Sequence, residues 1–301
     1  MAPIETKLTW VIFGSEGQLG RQLSVELTEK RIPHKCIPRG VADVRNFDEI
    51  QSALIDGARV IVNCAAWTDV RGAESNKTSA FEINEVGAGN LALAASELGS
   101  IFLHISTDYV FPGDKNTPYT EEDMTYPLNV YGESKLAGER KVLDVYKTKS
   151  LIVRTSWLYS PWRQNFVKTM IQKALKSSIT EVVNDQTGSP TSAKDLAGKL
   201  VMMIEKKFEP GLYNCSGTGE TSWFDFAAAI YRLTGKPDSL LVPISSELLK
   251  NDLLRPKYTV LDNSKFEQKS SQPMPHWESS LKRDFAVIMK EVEKEADDSR
   301  S

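Results

Sequence analysis

Cysteine is scarce in this chain, and the three present, Cys36, Cys64 and Cys215, stand far apart. No C-x-x-C spacing occurs, so neither a zinc site nor a disulfide framework is expected, and a reducing compartment fits. Histidine is as sparse: His34, His104 and His276 show no metal-ligand spacing, and no metal site is expected from them. His104, inside an apolar run, reads as a satisfied core residue, and Cys64 as a core thiol. Neither charge sign dominates. Against 40 Asp and Glu stand 37 Lys and Arg, a formal net charge of −3. The chain as a whole therefore attracts neither nucleic acid nor an anionic membrane, and an anionic ligand must be held by local donors. No stretch approaches the roughly 18 apolar residues of a membrane span, and Met1 to Lys7 lacks the apolar core of a signal peptide. The expected location is the cytoplasm, where the sequons Asn76-Lys77-Thr78 and Asn214-Cys215-Ser216 are chance matches.

What is present suits a globular protein: 301 residues, 41% hydrophobic and 26% charged, enough for one large domain or two small ones. The first half alternates short apolar runs with longer amphipathic ones. Strands are expected at Leu8 to Phe13, His34 to Ile37, Arg59 to Ala66, Ile101 to Ile105 and Leu151 to Val153. Helices are expected at Gln18 to Glu29, Phe47 to Leu54, Ser79 to Leu98 and Tyr131 to Tyr146. Continuous apolar strands mean burial on both faces, and their alternation with helices predicts an α/β fold, a Rossmann-like doubly wound parallel sheet. After about residue 156 the pattern loosens. Helices are expected at Phe166 to Lys176, Ala193 to Lys206, Trp223 to Leu233 and Trp277 to Lys294, with strands at Thr180 to Val183 and Leu212 to Cys215. The expected division is a dinucleotide-binding domain over 7–156 and a smaller C-terminal substrate-binding region over 157–294. Segments near 180–215 are expected to return to the first domain, and 295–301 to form a disordered tail.

Gly14-Ser15-Glu16-Gly17-Gln18-Leu19-Gly20 follows the first strand and opens the first helix. Gly14, Gly17 and Gly20 permit a tight turn and a close backbone approach, and the helix start offers free N–H groups to a pyrophosphate. The spacing is G-x-x-G-x-x-G rather than G-x-G-x-x-G, which points to another class of nucleotide-binding reductase. A glycine-rich turn at a strand end is the bland alternative. Beyond the second strand, Arg39 is placed to pair with the 2′-phosphate of NADPH, while Asp43 and Val44 are expected near the adenine edge. NADPH is favoured over NADH on that ground.

Tyr131 and Lys135 are four apart in a helical stretch and so share a face. An ammonium beside a phenol favours the phenolate, and the expectation is a tyrosine whose pKa is lowered toward neutrality, fit to protonate a carbonyl. Ile105-Ser106-Thr107-Asp108-Tyr109-Val110-Phe111 follows a strand and puts hydroxyls at its C-terminal end, where α/β enzymes bind ligands. Capping of a turn is the alternative for Ser106 and Thr107.

With Thr107, Tyr131 and Lys135 together, the chain resembles the extended short-chain dehydrogenase/reductases, and among them the dTDP-4-dehydrorhamnose reductase family. The resemblance spans almost the whole chain. It is carried by Ala65-Ala66-Trp67-Thr68, Ser106-Thr107-Asp108-Tyr109-Val110-Phe111, Pro127-Leu128-Asn129-Val130-Tyr131-Gly132, Arg154-Thr155-Ser156-Trp157, Asn184-Asp185-Gln186, Gly188-Ser189-Pro190-Thr191 and Arg255-Pro256. It implies reduction of the 4-keto group of dTDP-4-dehydro-β-L-rhamnose to dTDP-L-rhamnose by NADPH or NADH. It also implies roles. Tyr131 would donate the proton, Lys135 would tune it and hold the nicotinamide ribose, and Thr107 would bond the sugar O4. Asp108 and Trp157 would contact the sugar, with Gly17, Gln18 and Leu19 on the pyrophosphate and Ala65, Ala66 and Trp67 along the cofactor cleft. Arg255 is a candidate for the substrate diphosphate, although Arg255-Pro256 also suits a structural turn. Some relatives bind Mg2+ at a subunit contact, and no acidic cluster here commits the chain to that. One departure is Arg71, where the family has an acidic residue.

Rival readings stay open: a reductase of another dTDP-4-keto-deoxysugar, a sugar-nucleotide epimerase holding NAD, or a non-catalytic binding subunit resembling the regulatory subunit of methionine adenosyltransferase. The expected partner is a dTDP-sugar, in a monomer or homodimer, with a 3,5-epimerase supplying the substrate.

Overall fold

The structure, a computed structural model, describes residues 10–248 and 253–298. Leu8 and Thr9 of the first expected strand, the N-terminal Met1 to Lys7, and Ser299 to Ser301 of the expected tail lie outside the described residues. The first half runs β1 (Trp10–Phe13), α1 (Gln18–Glu29), β2 (His34–Ile37), α2 (Phe47–Ala53), β3 (Val60–Asn63), α3 (Val70–Ser75), α4 (Lys77–Phe81), α5 (Gly87–Leu98), β4 (Ile101–Thr107), α6 (Val130–Tyr146) and β5 (Ser150–Thr155). The second runs β6 (Leu158–Tyr159), α7 (Phe166–Leu175), β7 (Thr180–Val183), β8 (Thr187–Gly188), β9 (Thr191–Ser192), α8 (Ala193–Glu205), β10 (Gly211–Asn214), β11 (Thr221–Ser222), α9 (Trp223–Leu233), β12 (Leu241–Ile244), α10 (Ser264–Ser270) and α11 (Trp277–Asp298).

Six strands form one sheet in the order β2-β1-β3-β4-β5-β10, and every pair is parallel. Strands β1 and β3 are buried at every position, as a sheet covered on both faces requires. One face packs on α1 and α8 through Leu19, Leu23, Leu196 and Leu200. The other packs on α2, α5 and α6 through Ile50, Leu91 and Val142. The order of winding reverses between β1 and β3, so a crevice opens at the carboxyl ends of those two strands. The second half holds a separate core in which α7, α9 and α11 meet around Ile171, Phe226, Ile230 and Ile288. Its strands β7 and β12 pair with each other, while α8 and β10 belong to the large sheet and its cover.

Several elements differ from the sequence expectation for local reasons. The single helix expected at Ser79 to Leu98 begins at Lys77 and contains a π-helical turn, Glu82–Val86. The bulge turns Asn84 inward, where its side chain bonds both the N–H and the C=O of Trp67 and the hydroxyl of Ser134. The strand expected through Ala66 ends at Asn63, whose side chain accepts the Ala65 N–H and turns the chain out of the sheet. Glu295 to Asp298, expected to be disordered, continue α11 instead. The fully buried Lys168 ammonium pairs with Glu295 at 2.6 Å, which ties this turn down.

Candidate active site

The phosphate loop is built from backbone. Gly14 sits at φ +71, and a Cβ there would come within 2.4 Å of the Ala65 backbone nitrogen. Only glycine lets β1 and β3 approach this closely at the crevice. Gly17 stands at the N-cap of α1 with no side-chain cap, so the first N–H groups of the helix remain available to an anion. Gly20 serves packing: a Cβ there would meet Gly14 O at 2.5 Å. The Gln18 side chain turns away to the second region, where Ser160 Oγ and Asn165 Nδ2 lie 3.1 and 3.0 Å from its Oε1.

Two cavities meet over this loop. The smaller, about 190 Å³, is lined by Gly14, Arg39, Asp43 and Val44 with Ala65 and Ala66. Arg39 reaches Asp43 at 3.3 Å with its side chain largely in solvent. Asp43 also takes Arg45 at 2.7 Å, and the Arg45 guanidinium holds its carboxyl well below the usual carboxylate range. The larger cleft, about 650 Å³, runs from Gly17, Gln18 and Leu19 past Thr107, Asp108, Tyr131 and Lys135 to Trp157. The structure thus gathers at one crevice most of the residues singled out in the sequence.

Two do not take the places expected, and the departure at Arg71 lies outside the cleft. Trp67 is turned from the cleft: it packs against Ala73, Ala80 and Val130, its ring N–H bonds Asp69 O at 2.8 Å, and Thr68 lines the cleft instead. Arg255 lies beside Tyr109 rather than in the cleft lining, and its charge lowers the Tyr109 phenol that burial pushes up to about 12. Arg71 is exposed on α3, and its neighbour Glu74 holds the start of α6 by accepting the Val130 N–H at 2.9 Å.

Helix α6 is capped by Asn129, whose Oδ1 accepts the Gly132 N–H at 2.9 Å. Tyr131, Lys135 and Glu139 follow one another along one face. Lys135 Nζ donates to Ile105 O at 2.6 Å, and burial brings its pKa down to about 8. The pKa of Tyr131 does not follow the sequence expectation. Burial pushes it up, the Thr107 hydroxyl beside it pulls it down, and Asp108 and Tyr109 push it further up. The physical reason is that desolvation of the phenol dominates, and Lys135, itself buried and bonded to Ile105 O, is not among the groups that offset it. Tyr109 packs edge-on against the Tyr131 ring, with centroids 5.6 Å apart.

Thr107 donates to Asp108 Oδ1 at 3.0 Å and accepts the Tyr109 N–H at 3.2 Å. The carboxyl of Asp108 is buried and pushed up to about 6, against the pull of the Thr259 and Thr107 hydroxyls. Its Oδ2 finds no hydrogen bond of good geometry, so the cleft presents a buried acceptor. Beneath, Glu139 accepts Ser106 Oγ at 2.5 Å and takes Arg154 bidentately at 2.9 and 2.7 Å. Removing one partner of a pair this buried costs roughly 3–5 kcal/mol. His104 departs from the reading of a satisfied core histidine: Nδ1 meets Asn63 at 3.1 Å, while Nε2 is buried without a partner.

The far wall is aromatic. Trp157, at φ +45, stacks on Trp223 with centroids 3.5 Å apart and planes 5° apart. A Cβ on Gly188 would come within 2.5 Å of the Trp157 ring. Phe166 leans on Trp223 at 4.5 Å and stacks on Phe226 at 5.5 Å. Trp223, Phe166, Arg163 and Asn165 line or support the site and were not singled out in the sequence. The one local signal was the position of Trp223 and Phe166 at helix starts.

A family model described as the RmlD substrate binding domain matches residues 8–289. A dTDP-4-dehydrorhamnose reductase of Streptomyces griseus is 37% identical over 284 residues, covering 93% of each chain. A dTDP-4-keto-6-deoxy-D-glucose reductase of Streptomyces niveus is 35% identical over 281 residues, covering 93% of this chain and 97% of that one. The crystal structure of a dTDP-4-dehydrorhamnose reductase from Bacillus anthracis in complex with NADP superposes with a TM-score of 0.89 at 37% identity, over 93% of this chain and 99% of the other.

Proposed function

The chain belongs to the RmlD substrate-binding-domain family, and from that premise we propose that it reduces the 4-keto group of dTDP-4-dehydro-β-L-rhamnose to give dTDP-L-rhamnose. The observation that carries this reading is the convergence of Thr107, Tyr131 and Lys135 in one cleft with a glycine-built phosphate loop at its mouth. A nicotinamide dinucleotide fits that cleft, because the Gly14 cradle and the uncapped start of α1 leave room and N–H donors for a pyrophosphate. When bound there it supplies the hydride.

The residues do the rest. Tyr131 gives its proton to the ketone oxygen, and its raised pKa keeps that proton in place until the oxygen becomes basic. Thr107 turns its single O–H from Asp108 Oδ1 to the same oxygen and shares the charge that develops there. Lys135, charged below about 8, holds the ribose hydroxyls and supports the phenolate left on Tyr131. The Asp108 carboxylate, in the cleft lining beside Thr107, takes a sugar hydroxyl. The indoles of Trp157 and Trp223 exclude water from the sugar face.

NADPH is the preferred cofactor in this reading, with Arg39 on the 2′-phosphate and Asp43 fixing Arg39 from the other side. Among the described residues no group of three or more His, Cys, Asp or Glu side chains converges as metal ligands, and no step is assigned to magnesium. No described helix is long and apolar enough to cross a membrane. The placement we favour is the cytoplasm, with a 3,5-epimerase delivering the substrate.

The test is a coupled assay with dTDP-4-keto-6-deoxyglucose, a 3,5-epimerase and NADPH, followed at the nicotinamide absorbance. Consumption that requires the epimerase supports the rhamnose reading. Similarity to the Streptomyces niveus reductase favours a second one: equal consumption without the epimerase assigns the unepimerised keto sugar instead.

A further inference from the structure

One charged side chain joins the two cavities. Five residues line both of them: Gly17, Cys64, Ala65, Ala66 and Arg163. The first four belong to the start of α1 and the segment that follows β3. Arg163 comes from the second region, on the turn between β6 and α7. It sits at φ +60, a conformation that costs a non-glycine residue free energy. The turn is held there from several sides. Arg163 Nε donates to Glu16 O at 3.0 Å, and Ser160 and Asn165 both reach the Gln18 side chain. Asn165 Nδ2 also bonds Ser160 O at 2.8 Å, while its Oδ1 caps α7. The turn is therefore a braced strap across the phosphate loop, with a guanidinium at its tip.

We propose that Arg163 is a positioning residue that grips a nucleoside diphosphate from above the phosphate loop, and that this diphosphate is the cofactor's. The inference rests on the reductase reading. A dinucleotide places its adenosine and nicotinamide halves on either side of its diphosphate. The adenine-side cavity holds Arg39 and Asp43, the other holds Tyr131 and Lys135, and Arg163 lies at their junction. The loop beneath offers backbone N–H groups and no lysine, so Arg163 supplies the cationic partner that the glycine loop lacks. Nε is engaged with Glu16 O and the side chain is 57% exposed, with Nη2 4.0 Å from the Glu16 carboxylate. A doubly charged diphosphate outcompetes that exposed carboxylate. The grip also explains why the second region is tied to Gln18: the strap must stay in register with the helix start that binds the same group.

The experiment compares dissociation constants of Arg163→Ala and the parent protein for NADPH, NADH and dTDP, each added alone. A charged hydrogen bond at an exposed site is worth about tenfold in affinity. Arg163→Ala should weaken NADPH and NADH by that same factor and leave dTDP unchanged. Glu16→Gln, which removes the competing carboxylate and keeps the backbone carbonyl, should tighten both cofactors. Unchanged affinity for both cofactors in Arg163→Ala would overturn the proposal. Loss for NADPH alone would move Arg163 to the 2′-phosphate, and loss for dTDP alone would move it to the substrate, each also overturning it. A parent protein that binds neither cofactor would instead sink the reductase reading itself.

Discussion

The two sides of the cleft are made of different material. The cofactor side is backbone: Gly14 against Ala65, the bare start of α1, and a strand that turns away at Asn63. The substrate side is large side chains, with Trp157, Trp223, Phe166 and Phe226 stacked and tilted on one another from three separate elements. A site made of backbone has no tolerance for an added carbon. A site made of rings can lose one and re-pack. On the seam Tyr131 and Lys135 project from α6, and there we propose the chemistry takes place.

That contrast can be broken by substitution. The largest effect belongs to the seam. Tyr131→Phe should lower kcat by roughly 10²–10⁴-fold while NADPH binding stays within a few-fold. Turnover near the parent's would remove Tyr131 from the chemistry. Next comes the backbone side. Gly14→Ala forces a Cβ to 2.4 Å from the Ala65 nitrogen at a positive φ. It should cost about 1–3 kcal/mol of stability and at least tenfold in NADPH affinity, read by thermal melting and titration. If both survive intact, the loop is more pliable than its packing implies.

The aromatic side should answer more softly. Trp223→Ala should raise KM for the sugar nucleotide about threefold to tenfold, with NADPH affinity untouched. A loss that fell on the cofactor instead would erase the division between the two sides. The smallest effect is a pH dependence. Lys135 is charged below about 8 and neutral above it. If its charge helps hold the cofactor, the dissociation constant of NADPH is flat below pH 8 and rises above it, by at most tenfold per pH unit. Lys135→Met should bind weakly at every pH, with no rise. A rise that persisted in that variant would belong to another group.

Much of the cofactor side could be read along the chain, because its determinants are local. Strand Trp10–Phe13, the glycines that follow it and helix Gln18–Glu29 lie within twenty residues, and the i, i+4 spacing of Tyr131 and Lys135 needs only a helix. Less was legible where distant segments meet. Trp223 stacks on Trp157 across more than sixty residues, and Arg163 reaches Glu16 across 147. Burial is also a tertiary quantity, which is why the pKa of Tyr131 runs opposite to the pairwise expectation. Trp67 shows the limit from the other direction. A motif placed it at the cleft, and the π-helical turn that anchors its backbone through Asn84 left its ring packed elsewhere.

By itself the sequence determined which groups this protein owns and which of them share a helix face or a strand end, since periodicity and turn chemistry act over a few bonds. Only the tertiary structure decided which carboxylate lost its water, where the guanidinium of Arg163 came to rest and which rings closed the sugar wall. Desolvation and long-range packing depend on what the rest of the chain brings near, and no local pattern encodes that.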